Sequence, residues 1–246
     1  MKHFNKTLFS LSILSLTTCL NIQTAQATSL YTGIAELSIN ITGIHNQSNS
    51  GMGYGNDIQY FGTLGLDEYS SSTTPVSGGS VTPTLPNNSL PSKGSALVLP
   101  INYDFSQSMK IDGTVSNGNI ESYYFFESIL SFKNLSSNDY VIDYTVNYNL
   151  SVETTGSGTT ATASITEENF GLPDDGYIEV GTSSSSLSES GTPNLSLFLA
   201  AGETVELYAA LEFSGEASAT SPVPLPGAVW LFLAGLLALP KFKQNK

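Results

Sequence analysis

From Tyr140 to Val152 the chain alternates almost without interruption. Tyr140, Ile142, Tyr144, Val146, Tyr148, Leu150 and Val152 fall on one side, and Asp143, Thr145, Asn147, Asn149 and Ser151 on the other, with only Val141 out of step. A period of two marks an extended strand with one buried face, because successive side chains point to opposite sides of the sheet. The same pattern recurs at Leu37, Ile39 and Ile41; at Leu97, Leu99, Ile101, Tyr103 and Phe105; and at Met109, Ile111 and Val115. It returns at Leu195, Leu197 and Leu199, and again from Val205 through Leu207, Ala209 and Leu211 to Phe213. Tyr123-Tyr124-Phe125-Phe126 with Ile129, Leu130 and Phe132 predicts another strand, whose continuous aromatic run implies burial on both faces or a bulge.

Turn residues separate these runs: Asp112-Gly113, Asn117-Gly118, 134–139, Gly156-Ser157-Gly158, Asp174-Asp175-Gly176 and Ala201-Gly202-Glu203. Short strands at this spacing, with no competing helical period, predict an all-β fold, an antiparallel β-sandwich. Two stretches rich in Ser, Thr, Pro and Gly, 69–94 and 181–193, are expected to be solvated loops. The piece ahead of the first loop, 28–68, holds one good strand and cannot bury a core alone. One domain over 28–221 is therefore expected, with the early strand pairing onto the later sheet.

Both ends of the chain depart from this pattern. Residues 1–27 begin with Lys2 and Lys6, continue through an apolar stretch from Leu8 to Leu16, and close on Ala25-Gln26-Ala27, the small-x-small pattern of a signal-peptide cleavage site. Cleavage after Ala27 by signal peptidase would leave Thr28 as the first residue and discard Cys19, the single cysteine. The competing lipoprotein signal, with Cys19 acylated, is a poorer fit because Thr18 precedes the cysteine. At the other end, 222–246, Val223-Pro224-Leu225-Pro226 precedes an uncharged run from Gly227 to Leu239, then Pro240 and Lys241, Lys243 and Lys246. A helix over 227–239 would be about 20 Å long, short of the hydrocarbon core of about 30 Å. The three Lys after it nevertheless suit a membrane helix with a cytoplasmic tail, and Trp230 suits the outer interface.

The segment Val223-Pro224-Leu225-Pro226-Gly227-Ala228-Val229-Trp230-Leu231-Phe232, with its apolar run and basic end, resembles a PEP-CTERM sorting signal of the VPLPA type. Gly227 stands where Ala is commoner, and Lys replaces the usual Arg cluster. The resemblance covers about 25 residues and implies a route: export across the inner membrane of a Gram-negative bacterium, transient anchoring by the C-terminal helix, and processing by an exosortase. It implies no activity.

Charge sharpens this division. The chain has eight Lys, no Arg and twenty-one Asp plus Glu, a formal net charge of −13. Five of the Lys lie in the two terminal signals, so 28–221 carries Lys93, Lys110 and Lys133 against all twenty-one acids, a formal charge of −18. Such a domain cannot neutralise a phosphate backbone, and nucleic acid is set aside as a partner.

Candidate chemistry is sparse. His45 is the only His after residue 27, stands in an Asn/Ser/Gly-rich stretch without a G-x-S-x-G motif, and suits a loop better than a catalytic base. Zinc lacks His and Cys ligands. Calcium needs only oxygen ligands, and Asp174-Asp175-Gly176 and Glu167-Glu168 are the densest acidic sites, but no D-x-D-x-D-G loop is present. Glu121 and Glu127 flank the aromatic strand and are the candidate pair for a two-carboxylate glycoside hydrolase. Tyr54, Tyr60, Phe61 and Tyr69 are the rings to examine for a sugar-stacking surface. The expectation is an exported, non-catalytic surface or matrix protein with no metal and no cofactor, tied to exopolysaccharide or biofilm. A carbohydrate-binding sandwich is the alternative, and the hydrolase a more distant one.

Overall fold

A computed structural model of the chain describes residues 28–48, 54–86, 91, 93–168, 176–183 and 185–220, with the side chains of 67–77 and 93 left aside. The sequence signals at 1–27 and 222–246, Ala25, Ala27, Val223 to Pro226, Trp230 and the terminal lysines among them, lie outside the described residues, as do Asp174 and Asp175. Thr28–Thr220 forms one compact unit. No helix of the described residues is long and apolar enough to cross a membrane.

The unit is all-β. Its strands are β1 (Ser29–Asn46), β2 (Ile58–Ser77), β3 (Ser80–Thr84), β4 (Leu97–Val98), β5 (Asp104–Val115), β6 (Asn117–Asn134), β7 (Tyr140–Thr155), β8 (Thr159–Glu168), β9 (Tyr177–Thr182), β10 (Ser186–Gly191), β11 (Asn194–Leu199) and β12 (Thr204–Ala219). They form two antiparallel sheets, consistent with a β-sandwich. Sheet A runs β10-β7-β1-β5-β3, with β11 also pairing β7; sheet B runs β4-β2-β6-β12-β8-β9. From β1 to β8 the chain changes sheet at every connection, and among the described residues β8 and β9 are the only sequence neighbours that pair. The connections are therefore arches between layers rather than hairpins. Gly156 (φ 99°) and Gly158 (φ 71°) turn the arch from β7 to β8, in a backbone region that residues with a Cβ rarely enter.

The alternating positions become the core. Ile39, Ile41, Ile111, Ile142, Leu150, Leu207 and Leu211 are completely buried between the sheets. Asn134 fixes one end of the sandwich: its buried amide nitrogen donates to the carbonyls of Asn138, Leu199 and Ala200, while its Oδ1 accepts from the Ser136 backbone N–H at 2.9 Å. One polar side chain thus ties the β6–β7 arch to the β11–β12 arch, and leaves few buried polar groups without a partner there.

Several expectations are corrected by this arrangement. Residues 69–77 and 80–84 of the stretch 69–94 are strand rather than loop, since β2 continues to Ser77 along β6 and β3 follows on the edge of sheet A. A long neighbour supplies backbone partners, and these recruit Ser and Thr into a strand that has no apolar alternation of its own. For the same reason part of 181–193 is β10, paired with β7. The run from Leu97 to Phe105 is two strands, not one: Leu97 and Val98 pair with β2 in sheet B, Asn102 takes φ 67°, and β5 begins in sheet A. Asp112-Gly113 lies inside β5, where Gly113 is chosen by the Tyr31 ring above it rather than by a turn.

Candidate binding face

The two outer faces of the sandwich differ in chemistry. On sheet A polar side chains satisfy one another, beside the exposed apolar Leu187 of β10 and Phe198 of β11. Glu36 accepts from Ser108 and Asn149, Asp112 from Thr32, and Asn147 donates to Ser38. Lys110 Nζ lies 2.9 Å from Asp112, and His45 Nε2 2.9 Å from Asp143.

On sheet B the outward positions carry aromatic rings and glutamates in rows across the strands. Tyr208 on β12 lies between Ile129 of β6 and Glu168 of β8. Two residues on, Ala210 lies between Glu127 and Thr166, and Tyr177 of β9 pairs with Thr166. The next row places Glu212 between Phe125 and Ser164, with Glu179 beyond Ser164. The small residues Ala210 and Ser164 in the middle strands are buried beneath the larger side chains around them. Tyr177 is 45% exposed, and its hydroxyl donates to Glu179 Oε2.

The electrostatics follow from crowding of like charge on a partly buried surface. Burial first and Glu179 second push the Glu212 carboxyl above the usual range. Tyr208 is raised by burial, with Glu127 and Glu168 adding to it, and Tyr177 is raised chiefly by its hydrogen bond to Glu179. The single Lys on the strands of sheet B, Lys133, sits at one end in a cleft of about 770 Å³ shared with Gln59, Phe61 and Glu206. The opposite end holds a cleft of about 310 Å³ in which Glu121 and Glu216 are direct cross-strand partners.

The residues singled out in the sequence fare unevenly. Glu121 and Glu127 share a face of β6 but are six residues apart, about 20 Å at the rise of a strand, beyond the spacing of a hydrolytic pair. Glu167 is buried on the inner face of β8 and Glu168 exposed on the outer, so adjacent position in sequence does not make a joint cation site. Among the described residues no three His, Cys, Asp or Glu come together as metal ligands. His45 meets Asp143, and Ser196 also donates to Asp143, at 2.6 Å. The carboxylate stands between Ser and His, whereas nucleophilic catalysis requires His in the middle. Tyr60 is in the core with its ring centroid 4.4 Å from that of Tyr103, Phe61 is buried, and the Tyr54 hydroxyl accepts from the Ile101 N–H. For Tyr69 only the backbone is described, opposite Tyr123.

Tyr177, Glu179, Tyr208 and Glu212 were not among the candidates. The signal for two of them was present in the off-phase positions of β12, where Glu206, Tyr208, Glu212 and Glu216 alternate with the apolar run.

No family model and no curated protein matches the sequence. Among solved structures, the secreted serine protease VesC from Vibrio cholerae aligns at 8% identity and a TM-score of 0.16, over 81% of this chain and 48% of the protease. The chain spans about half of that structure's length, and a likeness of that degree carries no argument about fold or activity.

Proposed function

We propose that the protein is an exported, non-catalytic component of the cell surface or extracellular matrix, delivered by the N-terminal signal and sorted by its PEP-CTERM-like tail through an exosortase. The observation that supports it is the extent of the compact unit: Thr28–Thr220 begins at the residue expected after signal cleavage and ends just ahead of Val223-Pro224-Leu225-Pro226. A self-contained domain between two removable addresses is what export and processing require. Comparing surface fractions from strains with and without a working exosortase tests it. The surface form should lack the tail only where the enzyme works, and an intact tail in both strains would overturn the proposal.

A second function is favoured by the outer face of sheet B. Rows of Tyr and Phe beside carboxylates suit an extended glycan, whose ring C–H faces stack on aromatic side chains while its hydroxyls donate to acids. Saturable binding of an oligosaccharide to the full chain, lost on Tyr208→Ala, is the corresponding test.

A further inference from the structure

We propose that the outer face of sheet B binds a polysaccharide that carries free amino groups, a cationic amino-sugar polymer rather than a neutral or acidic one. The inference deepens the glycan-binding function just proposed and rests on it.

Charge complementarity is the first ground. Glu127, Glu168, Glu179 and Glu212 occupy neighbouring rows of one face, and the one Lys on those strands, Lys133, stands at its far end. On sheet A, Lys110 meets Asp112 in an ion pair. Glu127, Glu168, Glu179 and Glu212 have no lysine opposite them in the strand register. A polyanion would be repelled, and a neutral glycan would leave the mutual repulsion of the glutamates unchanged. An ammonium group brings the missing counter-charge and donates to the carboxylates in charge-assisted hydrogen bonds.

Ring placement is the second ground. Tyr177 and Tyr208 stand beside Glu179 and Glu168, so a carboxylate and an aromatic face are presented together. An amino sugar uses both: its C–H face stacks on the ring, and its ammonium is drawn to the ring's negative face as well as to the acid. A cationic peptide would use the acids but has no flat saccharide ring to stack. Partial burial of Glu212 works in the same direction, because a carboxylate that is costly to keep charged gains most from a cation.

The test is affinity of the full chain for oligomers of glucosamine, of N-acetylglucosamine and of lysine. The glucosamine oligomer should bind saturably, with the acetylated oligomer and oligolysine each weaker by about tenfold or more, as loss of one charged hydrogen bond or one stacked ring implies. The double substitution Glu127→Gln with Glu212→Gln should weaken glucosamine binding by about tenfold or more. Glu36→Gln with Glu153→Gln on sheet A removes the same charge and should leave binding unchanged. Equal binding of both sugar oligomers would overturn the amine requirement while leaving a glycan face standing. Equal binding of oligolysine, or equal loss from the sheet A pair, would reduce the face to bulk charge. Failure of every oligosaccharide would remove the glycan-binding function along with the proposal.

Discussion

The ring of Phe213 occupies the space beside Gly33 that any side chain would need: a Cβ on Gly33 would lie 1.9 Å from Phe213 Cε2. Two residues away the relation is reversed, with Tyr31 of β1 covering Gly215 of β12, where a Cβ would come within 2.7 Å of the tyrosine ring. The two rings touch, with centroids 5.8 Å apart, and Tyr31 Oη lies 2.7 Å from Ser122 Oγ. Aromatic-x-Gly on β1 thus interlocks with aromatic-x-Gly on β12, each an interior strand of its sheet.

Gly33→Ala is expected to destabilise the domain by about 3 kcal/mol, because the clash is with a packed ring that has nowhere to move. In a Phe213→Ala background the same change should cost much less, since the ring is gone. A double-mutant cycle by chemical denaturation measures the coupling, and additive losses would show that the two positions are independent.

Gln107 offers the opposite case. Its side chain is 2% exposed on the inner face of β5, and neither Nε2 nor Oε1 has a hydrogen-bond partner among the described residues. Burying an unsatisfied amide costs about 1–3 kcal/mol. Gln107→Met keeps the approximate length and removes the polar atoms, so it should stabilise the domain by about 1–2 kcal/mol in urea melts. A loss of stability would mean that the amide does find a partner in solution.

Buried phenols predict alkaline unfolding. Burial raises Tyr31 and Tyr103 above the ordinary value of 10.0 and pushes Tyr144 up to about 12. Their folded-state values exceed the unfolded one, so their contribution is fully present below pH 10. It is lost as pH rises through the folded values. The melting temperature should therefore hold to about pH 10 and fall steeply towards pH 12. Tyr144→Phe should delay the fall, which thermal melts across that range would register.

Glu212 gives a second pH dependence, at the acid end. Its folded value is raised above the ordinary 4.5, so the group stabilises the fold when protonated, and that contribution is lost as pH rises through the folded value. Glu212→Gln is then expected to melt higher than the parent at pH 7, with the difference closing as pH falls below the ordinary carboxylate range. A difference that stayed constant with pH would exclude titration of this carboxylate as its source.

Legibility in the sequence depended on how far a feature is local. The inner faces of β7 and β12 could be read directly, because burial on one side writes itself as a period of two. β10 and the distal half of β2 could not, since neither has an apolar alternation: both are strands because β7 and β6 offer backbone partners. The candidate face shows the same limit. Glu206, Tyr208, Glu212 and Glu216 could be placed together on β12 from their spacing, but Tyr177 and Glu179 join them only through the pairing of β9 with β8 and of β8 with β12.

By itself, the sequence determined that this is a β protein, which side chains face inward on its main strands, where the chain turns at 134–139, 156–158 and 201–203, and that its charge is strongly acidic between two terminal segments of another character. Tertiary structure alone decided which strand lies in which sheet, that Asp112-Gly113 continues a strand, and that aromatics and glutamates from β6, β8, β9 and β12 share one surface. The physical reason is that alternation records whether a residue is buried, a property of each strand alone. Register and sheet order are agreements between strands far apart in the chain, and a glycine such as Gly33 acquires its meaning only when Phe213 lies against it.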